Sequence, residues 1–441
     1  MASKNTFDIV SLGNASIPSP IHLSKTAGEK IFSFVEDSDR MLMDVSLADF
    51  NSCIRNNTQP NCLEKAGPRE ALFFDPKSTT AAIVTCGGLC PGINNVIRSL
   101  FMALHYFYKV ERIIGIRYGY EGLIPGNGHD FLEFTPDIVK DIHEFGGTLL
   151  GSSRGAQSVP EMVDALEKNK IDILFTIGGD GTLKGANAIG EEIEKRGLKI
   201  AVAGIPKTID NDIDLLDKSF GFETAFDVAS PIIRNAHNEA TGAFNGISIV
   251  KLMGRDSGFI AASTAIAMPV VNFVLIPEIH FALDGPNGFL EALKKRINLK
   301  HHAVIVVAEG AGQNLFETGT EEVHDASGNI KHQDIGLFLK HRIKQYFDTI
   351  ETKTTIKYID PSYIIRSAPA NANDSLFCNR LAHHAVHGAM AGKTKFVIGR
   401  LNNRFVYIPI SKVVNQRKKI DMEGEFWFAV LQSTGQPFSM K

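Results

Sequence analysis

Ile205-Pro206-Lys207-Thr208-Ile209-Asp210-Asn211-Asp212 follows an apolar run over residues 199–204. The run reads as a buried strand, and the loop after it carries Pro, Lys, Thr and two carboxylates. In an open α/β sheet, ligands sit outside the carboxyl ends of the strands. Asp210 and Asp212 are two residues apart, and in extended chain such side chains share a face. A pair of this kind can serve a cation such as Mg²⁺, or divide the work between metal and general base. A loop rich in Asp and Asn is equally an ordinary turn. The neighbouring stretches decide between these readings.

Upstream, a predicted strand over 171–177 runs into Gly178-Gly179-Asp180-Gly181-Thr182 and a predicted helix over 183–195. Glycines let a phosphate approach the backbone, and an Asp there can hold Mg²⁺ directly or through water. Earlier, a strand over 81–85 runs into Cys86-Gly87-Gly88-Leu89-Cys90-Pro91-Gly92 and a helix over about 94–107. Strand, Gly-rich turn and helix aim backbone N–H groups at an anion, although a tight βα turn has the same pattern. A strand over 112–116 and helices over 136–145 and 161–168 lie between the two loops. So does Leu149-Leu150-Gly151-Ser152-Ser153-Arg154-Gly155, where Arg154 can fork onto phosphate oxygens or simply face solvent.

The alternation of strand and helix implies a mostly parallel, doubly wound sheet. It resumes downstream, with strands over 246–252, 272–276 and 302–308. These end in Met253-Gly254-Arg255, Pro277-Glu278 and Glu309-Gly310. A helix over 335–347, the stretch Lys357 to Arg366 and a helix over 375–390 follow. A strand at 396–397 returns to the first sheet. The expected class is α/β: two doubly wound Rossmann-like lobes with the active site in the cleft between them. The expected division is an N-terminal extension over 1–80 that wraps a core, a nucleotide-binding lobe over 81–221 completed by about 367–410, a sugar-phosphate lobe over 222–366, and a tail over 411–441.

The chain has 441 residues, 44% hydrophobic and 22% charged, with a net charge of -3. That composition is globular, and no basic excess points to nucleic acid. The five cysteines, at 53, 62, 86, 90 and 378, form no CxxC pair, which suits reduced thiols. No apolar leader or membrane-length run is apparent, so a soluble cytoplasmic protein is expected. His383, His384 and His387 have metal-ligand spacing on a helix, but with no completing Cys or Glu nearby they read as a solvated or packed face.

In order along the chain, these motifs resemble the phosphofructokinases. Gly87-Gly88 with Pro91-Gly92 and Asn94 is similar to the first phosphate loop, and Gly151-Ser152-Ser153-Arg154 to the segment with the phosphate-bridging Arg. Gly178 to Thr182 is similar to the GGDG[ST] loop, and Pro206 to Asp212 to the P-x-T-I-D-N-D signature. Met253-Gly254-Arg255 and Pro277-Glu278 resemble the sugar-phosphate site. Tyr363 and Arg366 fall at the H-x-x-R position, with Lys357 at a basic position nine residues earlier. The extension points to the long ATP-using branch. The resemblance implies a 6-phosphofructokinase with ATP and fructose 6-phosphate as substrates, Mg²⁺ as cofactor, and a homotetramer.

By that resemblance Asp210 is the general base, with Arg154 and Arg255 stabilising the transferring phosphoryl group. Gly87, Gly88, Arg154, Gly155, Gly179, Asp180, Gly181, Thr182 and Lys207 hold the nucleotide. Thr208, Ile209, Asp210, Met253, Gly254, Arg255, Glu278, Lys357, Tyr363 and Arg366 hold the sugar phosphate. Asp180 and Asp212 serve the metal. Short-chain members differ in having His at position 363 and Arg at 246, where this chain has Tyr363 and Gly246.

Two signals on the donor conflict. Pyrophosphate-using relatives carry Asp at 181, where its carboxylate repels the α-phosphate of ATP; Gly181 lacks that group. They also carry Lys at 207, as this chain does. ATP is the expected donor because exclusion is the stronger effect. Pyrophosphate use, and a silent sugar-phosphate-binding regulatory subunit, are the alternatives. NAD kinases and diacylglycerol kinases share GGDG[ST], but the Pro206 to Asp212 signature and Met253-Gly254-Arg255 count against them.

Overall fold

The computed structural model describes residues 7–26, 28–29, 31–316, 332–414 and 416–441. They form two compact units. The first takes the chain up to Thr208, then Ile213–Phe220 and Ala372–Arg417; the second takes Ile209–Asp212, Gly221–Asn371 and Lys418–Lys441.

The first unit is built on a nine-stranded sheet. Its centre is parallel, in the order Phe396–Leu401, Ala201–Pro206, Ile173–Gly178, Thr80–Thr85, Arg112–Ile116. These central strands are almost wholly buried, as expected of parallel strands covered on both faces. Antiparallel strands close both edges: Leu132–Glu133 on one side, and Arg404–Pro409, Cys62–Lys65 and Arg40–Leu42 on the other.

The N-terminal extension therefore supplies sheet strands. Leu63 is fully buried in the first unit's core. Glu64, also buried, meets Arg69 at 2.8 Å and Lys393 at 3.3 Å. Asp37 meets the same two cations at 2.9 and 2.7 Å. Buried Glu64, Arg69 and Lys393 satisfy one another there, with the exposed Asp37 balancing the second cation; either sign buried alone would be strongly disfavoured.

Beyond end shifts in several other elements, three differences from the predicted elements bear on the first unit. The strand expected over 199–204 is Ala201–Pro206, so Pro206 is its last residue and Lys207 stands at the sheet edge. The helix expected over 94–107 is α-helical over Ile93–Met102 and then widens to a π-helix over Ala103–Tyr108. The helix expected over 136–145 breaks into Pro136–Val139 and a 3₁₀ turn at Ile142–Glu144. Only Val139 and Ile142 are buried in those two pieces, too little apolar face to hold one continuous helix.

The second unit has a four-stranded parallel sheet in the order Phe273–Leu275, His302–Ala308, Gly246–Leu252, Thr355–Ile359. Period-two alternation splits its side chains between two cores. Val250, Leu252, Val304, Val306 and Ala308 enter one core, with Trp427 of helix Glu425–Thr434. Ile247, Ile249, Ala303, Ile305 and Val307 enter the other. No helix among the described residues is long and apolar enough to cross a membrane.

Candidate active site

In the first unit, three neighbouring parallel strands end at one edge, and the loop after each carries a predicted residue. After Thr80–Thr85 the chain enters Gly87, whose φ of 86° is left-handed and suits glycine. The Gly87 N–H donates to the Ser153 carbonyl at 3.0 Å, and Ser152 Oγ donates to the Gly87 carbonyl at 2.6 Å. This ties the first loop to the Gly151 to Gly155 segment. A Cβ on Gly88 would stand 3.1 Å from an Arg154 guanidinium nitrogen, so Arg154 lies over the loop. Arg154 and Gly155 are otherwise exposed.

Lys207, at the end of Ala201–Pro206, is buried. Its Nζ donates to the Gly88 carbonyl at 2.7 Å. Its own N–H donates to the Gly178 carbonyl at 2.9 Å, and a Cβ on Gly179 would approach its carbonyl oxygen to 3.2 Å. Gly87, Gly88, Arg154, Gly179 and Lys207 are therefore brought together, as the sequence implied.

Asp180 opens the helix Asp180–Lys195, whose cap, Gly179, offers no side chain to the first N–H groups. Such an end favours an anion. The Asp180 carboxylate is paired with Lys184 at 2.8 Å and has Arg417 at 4.0 Å. Thr182 is buried, its carbonyl accepting from the Tyr120 hydroxyl at 2.8 Å. A Cβ at Gly181 would meet nothing within 4 Å, so space is open there. Burial pushes the nearby Cys86 thiol up to about 12, so this cysteine is protonated near neutral pH.

In the second unit, Asp210 is bound to the Met253-Gly254-Arg255 segment. Its Oδ2 accepts from the Arg255 backbone N–H at 3.4 Å, and its carbonyl accepts from Ser257 Oγ at 3.1 Å. Gly254 has φ of 131°, and a Cβ there would stand 2.5 Å from the Ser257 carbonyl oxygen. Only glycine makes that turn. Met253 is buried. Arg366 lies 4.3 Å over the ring of Tyr363, which is 72% exposed.

The expectation that Asp210 and Asp212 share a face through extended chain is corrected. The chain turns at Ile209 and Asp210, and Asn211 takes φ of 57°, so strand alternation does not apply. Asp212 is buried at 8% exposure, with its carbonyl accepting from the Lys418 N–H at 2.9 Å. Thr208 is fastened through its carbonyl to Ser219 Oγ at 2.5 Å, and Ile209 packs against the second unit's core.

Glu278 is placed as a brace. Its Oε1 accepts from the backbone N–H groups of Gly258 at 3.0 Å and Ile420 at 3.1 Å. Its buried Oε2 meets no hydrogen-bond partner among the described residues. Lys357 is not gathered with Arg255 and Arg366. It pairs with Ser248 in strand register, four residues short of Leu252, and its exposed ammonium meets Glu239 at 3.8 Å. The family's Arg at 246 has no room here, because a Cβ on Gly246 would stand 2.1 Å from the Ala240 carbonyl oxygen.

Comparison with known proteins gives the family. A family profile described as "Phosphofructokinase" matches residues 80–389. The chain belongs to the phosphofructokinase family. It is 51% identical to an "ATP-dependent 6-phosphofructokinase" of Borreliella burgdorferi, over 99% of this chain and 98% of that one. A protein of the same name from Amycolatopsis methanolica is 48% identical, over 92% and 89%. Among solved structures, a pyrophosphate-dependent phosphofructokinase from Marinobacter aquaeolei has a TM-score of 0.67 at 20% identity, covering 82% of this chain and 93% of its own. At that identity the likeness shows the fold alone.

Within this phosphofructokinase, one grouping escaped the sequence reading. Glu309, after strand His302–Ala308, is half-buried among Lys251, Arg255, Asp360 and Arg366. Burial raises its carboxyl above the usual range, against the pull of Lys251 and Arg255. A carboxylate placed after a buried parallel strand was the available signal. The histidines form a packed face. His387 Nδ1 meets the Tyr108 hydroxyl at 2.7 Å, His384 stacks on Phe405, and burial drives the His384 imidazole down to about 3. No group of three or more His, Cys, Asp or Glu able to hold a metal occurs among the described residues.

The loop geometry predicts a contrast between neighbouring glycines. A Cβ on Gly178 would stand 2.1 Å from Thr182 Oγ1, whereas Gly181 is open. Gly178→Ala is expected to lower the melting temperature by several degrees, overpacking costing about 1–3 kcal/mol. Gly181→Ala should melt at or slightly above the wild-type temperature. Equal melting of the two in a thermal scan would contradict the geometry.

Proposed function

We infer that the protein is an ATP-dependent 6-phosphofructokinase. It transfers the γ-phosphoryl group of ATP to the 1-hydroxyl of fructose 6-phosphate, giving fructose 1,6-bisphosphate and ADP. The observation that carries this is the 51% identity to a protein of that name over nearly the whole of both chains.

The first unit offers what a nucleotide triphosphate needs: the Gly87-Gly88 and Gly179 to Thr182 loops, a helix N-terminus, and the cations Arg154 and Lys207. Asp180 fits Mg²⁺. It is a partly exposed carboxylate at the phosphate-facing end of a helix, and this ion usually takes one or two carboxylates together with phosphate oxygens and water. When bound, the ion would neutralise phosphate charge. Asp212 is the second candidate ligand, and its burial leaves Asp180 the better placed.

The second unit holds the acceptor. Met253, Gly254, Arg255, Tyr363 and Arg366 bind the sugar phosphate, with Glu309 as an added contact. Asp210 takes the proton of the 1-hydroxyl as that oxygen bonds to the γ-phosphorus. The bond from phosphorus to the bridging oxygen breaks, and ADP leaves with the electron pair. Arg154 and Arg255 offset charge on the transferring group. Positioning and electrostatics dominate phosphoryl transfer.

Asp210→Asn keeps the side-chain shape and removes the base. It is expected to lower kcat by roughly 10²–10⁴ while the KM for fructose 6-phosphate changes little. A coupled assay with fructose 6-phosphate and either ATP or pyrophosphate measures this, and near-full kcat in the variant would remove Asp210 from the role. Wild-type turnover with pyrophosphate alone would overturn the donor. Inactivity with both donors would favour a silent subunit.

Donor choice is proposed to rest on the open position at 181. Because nothing crowds a Cβ there, Gly181→Asp should fold, and it would set a carboxylate where ATP needs room. Two like charges about 4 Å apart repel by roughly 4 kcal/mol at an effective dielectric near 20. The expected result is a severe loss of ATP use, with some pyrophosphate activity made possible by Lys207. Unchanged kcat/KM for ATP would refute it.

We also propose a homotetramer in which Lys357 reaches the sugar 6-phosphate of a neighbouring subunit. Its exposure, away from Arg255 and Arg366 of its own chain, supports this. Lys357→Ala should raise the KM for fructose 6-phosphate by about ten- to a hundredfold and spare that for ATP. A fully active monomer in sedimentation would exclude the shared contact.

A further inference from the structure

Lys251 sits on strand Gly246–Leu252, two residues before Met253. Its side chain is only 13% exposed, yet it carries an ammonium group. Nζ meets Asp334 Oδ2 at 3.0 Å and Asp360 Oδ2 at 2.9 Å. Burial alone would lower its basicity; the hydrogen bonds to Asp360 and Asp334 outweigh that and hold the group more basic than an ordinary lysine.

The two carboxylates lead to different places. Asp334 caps the helix Ile335–Thr349 through the Leu337 N–H at 3.0 Å, and both its oxygens accept from the Tyr358 hydroxyl at 2.9 Å. Asp360 Oδ1 instead accepts from the Ser362 N–H at 3.1 Å and from Ser362 Oγ at 2.5 Å. Ser362 starts the short helix Ser362–Arg366, which carries Tyr363 and Arg366 and is anchored on the core side by the buried Ile365. Asp360 therefore uses one oxygen to start that turn and the other to fasten it to the sheet through Lys251. Glu309 lies in the same field, with Lys251 the first cation acting on it.

We propose that Lys251 is a positioning residue for the sugar-phosphate site, setting Tyr363 and Arg366 through its bridge to Asp360. The Asp334 arm secures a helix; the Asp360 arm secures the binding turn. Without the ammonium, Asp334 and Asp360 lose the cation they share, and the turn is released from the strand that leads into Met253, Gly254 and Arg255. This inference rests on the reading of Tyr363 and Arg366 as sugar-phosphate contacts.

The test measures fructose 6-phosphate binding by calorimetry and KM for both substrates in the full-length protein. Lys251→Met is expected to weaken fructose 6-phosphate binding and raise its KM by about ten- to a hundredfold, with the KM for ATP within about twofold of wild type. Lys251→Arg, which keeps the charge and can fork onto two carboxylates, should recover most of the loss. Asp360→Asn should reproduce the defect, and the double variant should be no worse than the worse single one, because both act through one contact. Asp334→Asn should lower the melting temperature and leave the fructose 6-phosphate KM near wild type.

If Lys251→Met fails to fold, Asp360→Asn carries the test alone. Parallel rises in both KM values, a fall in kcat alone, or normal fructose 6-phosphate binding in Asp360→Asn would overturn the proposal. Absence of fructose 6-phosphate binding by the wild-type protein would instead sink the underlying substrate assignment.

Discussion

Successive strands of a parallel sheet run in the same direction, so the loops that follow them leave from one edge. The candidate site loops that follow these strands inherit their position from that constraint. In the first unit, strands Thr80–Thr85, Ile173–Gly178 and Ala201–Pro206 are hydrogen-bonded neighbours, and the loops after them are correspondingly crowded. Crowding explains the glycines: the Gly88 backbone lies under Arg154, and the Gly179 backbone beside the Lys207 carbonyl. It also explains why a buried lysine is tolerated. Lys207 reaches the Gly88 carbonyl across two strand spacings, past the end of Ile173–Gly178, and so keeps a partner for its charge.

The same constraint acts on the smaller sheet of the second unit, where strands Gly246–Leu252, His302–Ala308 and Thr355–Ile359 lead to Met253, Glu309 and Asp360. Here the consequence is electrostatic. Arg255, Arg366 and Lys251 share a confined space with Glu309, Asp334 and Asp360, and confined charges of one sign must be balanced by the other. Asp210 joins this group through the Arg255 backbone N–H.

Phosphoryl transfer asks little covalent chemistry of a protein and a great deal of fixed charge. Under the proposed function, backbone N–H groups, a helix terminus and two cations would come from the first unit, and a carboxylate base with the Arg255 and Arg366 guanidiniums from the second. The N-terminal extension serves the first of these through structure, adding edge strands and an ion-paired cluster around Glu64, Arg69 and Lys393.

Much was legible in the sequence because it is local. Buried strands, Gly-rich turns and the helices after them are set by short-range periodicity and by the backbone angles that only glycine takes readily. Gly87, Asp180, Lys207, Asp210 and Arg255 became candidates through their loops together with the family resemblance those loops carry. What the sequence could not carry is anything that depends on which distant residues meet. The left-handed Asn211 breaks the expected alternation of Asp210 and Asp212. Glu278 is drawn onto the Ile420 N–H by a segment more than a hundred residues away, and Lys357 is turned to Glu239. Lys251 reads as a stray charge in an apolar strand until Asp334 and Asp360 are seen on either side of it. Local sequence determined the loops and their chemistry. Tertiary structure decided which buried charges are neutralised by the fold, because pairing a buried charge requires partners that only the folded chain brings within reach.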